Sequence, residues 1–487
     1  MITRPGRWLV AVPRFWRLTL GALATVTILL VVAIFLTRLT RSDYGCLYLD
    51  GQEIGLLDIH SGKFVPAATW TPDPAEPDKL AYNFAANRKR LAYLKSASPD
   101  GLVIKDDSRP VPAGKLFMIG SLFNEGISDV LWSPDERYVA YHWADGTYPN
   151  AQQHLAIADA HGKLIHEAKV NQPSVKFIHF DSWSPDGKYL AVIEDGGLGG
   201  TRIMTFWSIP DLQSFDAGDN AYDVGASCGL RNGNRWDCQL WASEGHTAAY
   251  AVHKERGNLV LVMMVPGESN QRIFNLPEST VPTVRWSPDG RFIAVGSFGA
   301  TNIALDREAR LDIYGMDGSV YSNIDNVAEA NLNVSDSTVY AQMQWSPDGK
   351  SLFYARLNPN AKQEYDIVRY QVDDGSTSVF LTVPSIGNTE IRMFISPDNQ
   401  TAAFYVDYRE LYLVSMRGKL IAHVQAQSLS SNTIAWSPDS TALVYPVYDS
   451  MAYRETLNIV SNNGADLGQF EDRIFPGSIT WTHCDVQ

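Results

Sequence analysis

Short runs of apolar and aromatic residues, separated by clusters of turn residues, recur along the chain from about residue 44 to its end. Runs such as "KYLAVIED", "RFIAVGSF" and "ALVYPVYD" are rich in β-branched and aromatic residues. Others, such as "HLAIADAHGK", "RLDIYGMDGS" and "ELYLVSMRGK", end in a turn that contains glycine. Because short runs of this composition between turn residues are typical of β-strands, the pattern predicts an all-β fold.

The string "WSPDG", or a close variant of it, recurs among these runs, and we refer to it as the marker. In this string proline presets the second turn position and glycine tolerates the left-handed region, so the marker predicts a tight turn between two strands. Copies begin 41 to 59 residues apart, a period typical of β-propeller blades. Each copy predicts four strands, which together make one blade. The copies begin at Trp132, Trp183, Trp286, Trp345 and Trp436, with weaker ones at Phe84, Trp241 and Ile395 and a truncated one at Trp481.

Seven of the thirteen tryptophans occupy the first position of a marker. We interpret them as residues that pack between adjacent blades rather than as a platform that stacks on a sugar, because a buried aromatic ring contributes a large apolar area. The predicted blade-packing residues are Trp132, Trp183, Trp241, Trp286, Trp345, Trp436 and Trp481.

The marker followed by an apolar strand resembles the repeat of the TolB-like, WD40-like β-propeller family. The resemblance covers roughly residues 44–487 and implies a propeller in the bacterial periplasm or on the outer surface, in contact with envelope proteins. TolB itself carries an additional N-terminal α/β domain and is released into the periplasm. This sequence departs from TolB in both respects, because a predicted membrane helix precedes the repeats. The motif is specific for the fold and says little about function.

The two ends of the predicted propeller complement each other. The segment "CLYLDGQEIGLLDIHSGKFVP" resembles the second, third and fourth strands of a blade, and "SITWTHC" near the C-terminus resembles a first strand alone. Joined, they complete one blade. This count gives nine blades, but propellers usually have four to eight, and the Phe84 copy lacks the Trp, Pro and Asp of the marker. We therefore favour a single closed propeller of eight four-stranded blades and keep nine as the alternative.

An uncharged run of 20 residues, residues 18–37, precedes the repeats. A helix of this length spans roughly 30 Å, the thickness of a bilayer core, so the run predicts a transmembrane signal anchor. Four arginines precede it and two follow it closely, which places residues 1–17 in the cytoplasm. Residues 38–43 are then a linker, and residues 44–487 form a periplasmic or extracellular domain. A cleaved signal peptide is the alternative.

The charge of the predicted exported part disfavours nucleic acid as a partner. Beyond residue 41 there are 34 basic and 54 acidic residues, a formal net charge of −20. Nucleic-acid binding depends on clustered lysine and arginine, which this composition does not favour.

The four cysteines form an even set in a compartment that is predicted to be oxidising. Aligning "WTHC" with "WSPD" places Cys484 in the marker turn of the closing blade, and Cys46 begins the following strand. Positions so related lie within the Cα separation that a disulfide tolerates, so we predict a Cys46–Cys484 bond. A second bond, between Cys228 and Cys238, is favoured over free thiols in the long segment 212–238.

No motif carries a convincing catalytic or metal site. "GASCG" around Ser227 matches a nucleophile elbow but lacks the strand-to-helix context and the rest of a hydrolase domain. The ten histidines show no zinc-ligand spacing, and no cofactor is predicted. The longer loops are the candidate functional regions, because loops on rigid scaffolds carry function. They lie at roughly residues 95–117, 143–153, 196–201, 212–238, 299–309 and 323–337.

These observations predict a membrane-anchored propeller, held by residues 18–37, that acts as a non-enzymatic scaffold for a protein or another envelope component. Two alternatives stay open. One is a propeller enzyme, a lyase or a peptidase-like hydrolase, with its site at the central channel. The other is a structural subunit of a membrane complex.

Overall fold

A computed structural model describes most of the repeat region. The predicted segments 1–17, 18–37 and 38–43, together with Cys228, Cys238 and Cys484, lie outside the described residues. The described residues are 44–51, 55–66, 82–84, 90–94, 102–106, 130–145, 152–170, 177–195, 202–217, 240–253, 259–269, 271–275, 283–298, 309–325, 343–358, 360–361, 364–384, 391–407, 409–425, 434–449, 454–472 and 476–482.

These residues form nine antiparallel sheets, which we number 1 to 9 in chain order. Sheet 1 contains β1 (Cys46–Gly51), β2 (Gly55–Asp58), β3 (Phe64–Pro66) and the last strand, β34 (Pro476–Thr482). Sheet 2 contains β4 (Tyr82–Phe84), β5 (Arg90–Leu94) and β6 (Leu102–Asp106). Sheet 3 contains β7 (Val130–Trp132), β8 (Tyr138–Asp145), β9 (Gln152–Asp159) and β10 (Leu164–Lys169). Sheet 4 contains β11 (Phe177–Trp183), β12 (Tyr189–Asp195), β13 (Arg202–Ser208) and β14 (Ser214–Asp216).

The remaining sheets follow the same meander. Sheet 5 contains β15 (Ala248–His253), β16 (Leu259–Met264) and β17 (Arg272–Asn275), and a single bridge from Trp241 to Ala248 takes the place of its first strand. Sheet 6 contains β18 (Thr283–Trp286), β19 (Phe292–Phe298), β20 (Ala309–Gly315) and β21 (Val320–Asp325). Sheet 7 contains β22 (Met343–Trp345), β23 (Ser351–Leu357), β24 (Glu364–Gln371) and β25 (Thr377–Pro384). Sheet 8 contains β26 (Ile391–Ile395), β27 (Thr401–Val406), β28 (Glu410–Ser415) and β29 (Leu420–Gln425), and sheet 9 contains β30 (Ala435–Trp436), β31 (Ala442–Asp449), β32 (Arg454–Ser461) and β33 (Asp466–Asp472).

In sheets 3 to 9 the two middle strands are buried on both faces, because each of these sheets lies between two others. All six residues of β27 are buried. Successive side chains of a strand point to opposite faces. Ala402, Phe404 and Val406 therefore join the core shared with sheet 7, while Ala403 and Tyr405 join the core shared with sheet 9. Eight such cores join sheet 2 to 3, 3 to 4 and so on through 8 to 9, and then 9 to 1.

The first strands lie along the inner edge of the stack. Contacts between first strands join sheet 2 to sheet 3, and they join sheets 6, 7, 8, 9 and 1 in that order. Marker tryptophans reinforce this edge, since an indole Nε1 donates a hydrogen bond to the first strand of the preceding sheet. Trp345 donates to Arg285 O at 3.1 Å, for example. The same bond is made by Trp183 to Leu131 O, by Trp286 to Leu240 O, by Trp436 to Phe394 O and by Trp481 to Ala435 O, while Trp241 donates to Ser182 Oγ.

A second set of contacts joins the sheets near their outer edges. The turn between the third and fourth strands of one sheet packs on an outer side chain of the preceding sheet. At Gly318 a Cβ atom would lie 2.8 Å from Phe274 Cζ, and φ is +86°, so both space and backbone require glycine there. Gly464 approaches Ile421 and Gly62 approaches Phe470 in the same way. The sheets are therefore fixed to each other at both edges.

Sheet 1 is built from both ends of the described chain. Its first strand is β34, which pairs antiparallel with β1 so that Cys46 lies opposite Thr482 and Leu47 opposite Trp481. The predicted completion of one blade by an N-terminal and a C-terminal segment is thus seen in the strand pairing. Cys46 is buried and disulfide-bonded.

The all-β prediction is confirmed, because the described residues contain strands and turns but no helix. Seven of the nine sheets have four strands and two have three. Within the described part of the chain, no helix is long and apolar enough to cross a membrane. The span predicted at residues 18–37 lies outside that part and stays a prediction.

Candidate interaction rims

The antiparallel order gives the stack two different rims. The marker turns and the turns between third and fourth strands lie at one end of the sheets, which we call the turn rim. The loops between second and third strands and the connections between sheets join strand ends at the other end, which we call the connection rim. The longer loops predicted as functional regions from the sequence begin and end mostly at the connection rim.

The marker turns share one hydrogen-bonding pattern. In the turn that begins at Trp286, Ser287 Oγ donates to Asp289 Oδ1 at 2.6 Å and accepts from the backbone N–H of Phe292 at 3.0 Å. The backbone N–H of Arg291 donates to the same carboxylate at 3.1 Å. This pattern of a serine, a carboxylate and two backbone N–H groups recurs in the turns at Trp132, Trp183, Trp345, Ile395 and Trp436. The local sequence alone therefore builds each turn.

These hydrogen bonds keep the marker carboxylates ionised. Burial alone would raise the pKa of Asp289, but hydrogen bonds from Ser287 and Arg291 outweigh it and lower the pKa below its ordinary value. The pKa of Asp135 and of Asp348 is lowered for the same reason. Their lone pairs serve the turn, so these carboxylates are structural groups.

Neighbouring marker turns are also joined to each other. Asp186 Oδ2 lies 2.7 Å from His246 Nδ1 of the next sheet, and Asn399 Nδ2 donates to Asp348 Oδ2 of the preceding sheet at 3.0 Å. Arg90 of sheet 2 forms a 2.8 Å ion pair with Glu136 of sheet 3. The turn rim is thus a belt of short turns that are joined from one sheet to the next.

The connection rim carries pairs of histidine and glutamate that the sequence did not reveal. On sheet 8, His423 pairs with the buried Glu410, which also accepts a hydrogen bond from Gln425 Nε2 at 3.1 Å. The His423 ring stacks on Tyr412 with centroids 4.4 Å apart. Because each pair joins the third strand to the fourth, only the strand register brings its members together.

A second pair lies on sheet 3 at the same end of the strands. His154 Nδ1 lies 2.8 Å from Glu167 Oε1, and the His154 ring stacks on Trp143 at 4.8 Å. The ring of His154 is buried, whereas that of His423 is about one-third exposed. The two pairs hold aromatic side chains rigidly next to the connections, and no group of three or more candidate metal ligands occurs in the described residues.

The predicted blade-packing tryptophans lie at the cores between sheets. Six of them, Trp132, Trp183, Trp241, Trp286, Trp345 and Trp481, are buried, and Trp436 is half-buried. Of the predicted disulfide residues, only Cys46 is described. Ser227 and most of segment 212–238 lie outside the described residues.

Comparison with known proteins identifies one repeat. The model of the WD domain, G-beta repeat matches residues 269–302, from the end of sheet 5 to just beyond β19. No curated protein sequence matches this chain. The meander sheets, their inner first strands and the matched repeat define a WD40-like β-propeller architecture.

Solved structures show a likeness of fold. The crystal structure of a eukaryotic initiation factor is 13% identical with a TM-score of 0.52, and the match covers 89% of this chain and 98% of that one. The dihydro-heme d1 dehydrogenase NirN in complex with DHE is 14% identical with a TM-score of 0.45, covering 85% and 77%. The Cps50 (Swd1) beta-propeller domain of Myceliophteria thermophila is 13% identical with a TM-score of 0.32, covering 71% and 99%. At these identities the likeness concerns the fold alone.

Proposed function

We propose that the protein is a non-enzymatic scaffold that binds a partner protein through its connection rim. The observation that carries this proposal is the asymmetry of the two rims. Uniform hydrogen-bonded turns close one rim, whereas the connections between sheets at the other vary in length from residues 473–475 to residues 326–342. Variable segments on a rigid scaffold are where binding specificity is built.

The proposal includes a closed ring of nine blades. Eight cores already join nine sheets in sequence from sheet 2 round to sheet 1, so closure requires one further contact, between sheets 1 and 2. The nine sheets favour the nine-blade alternative over eight. Pairing of β1 with β34 supplies the usual means of closing such a ring, because it makes both ends of the chain part of one blade.

A disulfide between Cys46 and Cys484 completes this closure in our proposal. Cys46 is disulfide-bonded and lies opposite Thr482, two residues before Cys484. Cys228 and Cys238 belong to the connection between sheets 4 and 5, which leaves from the connection rim. Cys46 begins a second strand, at the turn rim, which is the opposite end of the strands from where this connection leaves sheet 4.

We further propose that residues 18–37 anchor the ring in a membrane with residues 44–487 on the extracytoplasmic side. The arginine excess before the apolar run and the disulfide at Cys46 support this placement. The resemblance of the marker to the TolB-like repeat supports an envelope protein as the partner. A C-terminal alkaline phosphatase fusion should be active, and activity from a cytoplasm-dependent reporter alone would contradict the topology.

Purification of the full chain in mild detergent, followed by chemical cross-linking and mass spectrometry, tests the scaffold function. We expect one stoichiometric partner whose cross-links map to segments of the connection rim. Cross-links confined to the turn rim would contradict the assignment of the rims. Turnover in a broad hydrolase and lyase screen would favour the propeller enzyme instead.

A further inference from the structure

The exposed large apolar side chains of the described residues share one location. All eight lie within the first three residues of an outermost strand. We call this set the apolar collar, and it spans sheets 3, 5, 6, 7, 8 and 9. Its members are Leu164, Ile165, Ile273, Val320, Tyr321, Val379, Leu420 and Leu467.

The collar lies at the turn rim, because a fourth strand begins directly after the turn that joins it to the third. Val320 is 59% exposed and Leu420 is 49% exposed, so these side chains are available to a partner. The opposite ends of the same strands are polar, as Lys169 on β10 and Gln425 on β29 show. The exposed large apolar side chains of the described residues are therefore confined to the turn rim, where they lie beside exposed charged groups of the turns such as Asp317 and Lys419. Apolar patches of this kind mark surfaces that contact a protein or a membrane.

The chain enters the ring at the same rim. Cys46 begins the second strand of sheet 1, opposite the last residue of the first strand, so Tyr44 and Cys46 lie at the turn rim. Residues 38–43 separate the predicted anchor from Tyr44. Six extended residues span at most about 20 Å. The strands themselves are about 20 Å high, so this linker holds the turn rim near the anchor and would have to run fully extended along the whole height of the strands to bring the connection rim to the membrane.

We infer that the turn rim lies on the lipid bilayer, with the apolar collar in the interfacial region. This inference rests on the membrane anchor of the proposed function. The exposed Lys163 and Lys419 directly precede Leu164 and Leu420, and lysine beside apolar side chains suits the boundary between headgroups and acyl chains. The connection rim then faces away from the membrane, toward soluble or envelope partners.

Energy transfer to labelled lipid tests the orientation. The full chain is placed in nanodiscs of phosphatidylcholine and phosphatidylglycerol that contain a rhodamine-labelled lipid, with one donor dye at Lys419 or at Gln425. These positions lie at the two ends of β29, about 20 Å apart. We expect clearly higher transfer from position 419, and likewise from Lys163 than from Lys169 on sheet 3. Equal or reversed transfer would overturn the inference.

A matched pair of variants tests the collar itself. Val320→Asp with Leu420→Asp should lower the transfer measured from position 163, because charged side chains leave the interfacial region. Lys169→Asp with Asn275→Asp changes the net charge at least as much at the other rim and should leave the transfer unchanged. Equal far-UV circular dichroism establishes that both variants fold. Unchanged transfer in the collar variant would overturn the role of the collar. If the unmodified chain forms a dimer that the collar variant loses, the collar contacts a second copy of the chain and its role at the membrane is likewise overturned.

Alkaline carbonate extraction separates this inference from the proposed function. If the full chain is released from membranes by carbonate, the anchor fails and the inference fails with it. If the chain stays in the membrane but both ends of β29 give the same transfer, the anchor stands and only the orientation is wrong.

Discussion

Removal of the proposed Cys46–Cys484 bond should destabilise the ring more than any other single change at a cysteine. The bond would close a loop of about 440 residues, for which the loop-entropy relation gives about 6 kcal/mol. Measured losses for native disulfides are more often about 2–4 kcal/mol, because denatured chains keep residual structure. We therefore expect Cys484→Ser to lower the free energy of unfolding by about 2–4 kcal/mol.

Denaturant unfolding followed by tryptophan fluorescence measures this loss, since seven marker tryptophans report on the cores between sheets. Cys228→Ser is the matched control and should have a much smaller effect, because any bond it makes closes a short loop. Reductant should destabilise the unmodified chain but have little effect on Cys484→Ser. The reasoning would be refuted by peptide mapping without reductant that pairs Cys46 with a cysteine other than Cys484.

Three further predictions concern the contacts between sheets and the hydrogen bonds within a marker turn. Gly318→Ala should lower the thermal midpoint, because its Cβ would meet Phe274 Cζ at 2.8 Å. Gly245 has a similar positive φ and no atom within 4 Å of such a Cβ, so Gly245→Ala should lower the midpoint less. Equal shifts in the two variants would exclude the steric cause. Trp345→Phe removes a part-buried hydrogen bond and part of a core, so we expect a loss of about 1–3 kcal/mol in denaturant unfolding. Asp289 has a lowered folded-state pKa, so its carboxylate stabilises the fold above the unfolded pKa of about 3.9, and this contribution is lost as the pH falls through the lower folded value. The stability difference between the unmodified chain and Asp289→Asn should therefore shrink between pH 5 and pH 2, and a difference that grows would contradict the sign.

Much of the architecture could be predicted because it is encoded locally. The Ser287–Asp289 hydrogen bond and the glycine that follows are all within one marker, so the string specifies its own turn. The completion of sheet 1 by β34 was predictable for the same reason, because the segments at both ends match parts of a repeat. The nine markers match the nine sheets of the described residues, and the degenerate copy at Phe84, whose weak match led us to favour eight blades, lies at the end of β4.

The proposed interaction surfaces could not be predicted because they depend on how the sheets pack against each other. Leu164, Val320 and Leu420 are apolar residues like those of the buried strands, and their place at the outer edge exposes them. Likewise Glu410 and His423 are 13 residues apart and meet through the register of β28 and β29. Periodicity in the sequence identifies a strand but does not identify which strand of a blade faces solvent.

A distance across the proposed closure tests the central claim most directly. Spin labels at Lys63 and Lys163, in the turns between the third and fourth strands of sheets 1 and 3, flank sheet 2 and the closing interface. Labels at Ser319 and Lys419, in the equivalent turns of sheets 6 and 8, flank sheet 7 and give the reference distance. All four positions are exposed, and each follows a glycine of positive φ. A closed ring of nine blades predicts the same distance for both pairs, as measured by double electron–electron resonance. A longer or much broader distribution for the pair at 63 and 163 would show that the ring is open between sheets 1 and 2.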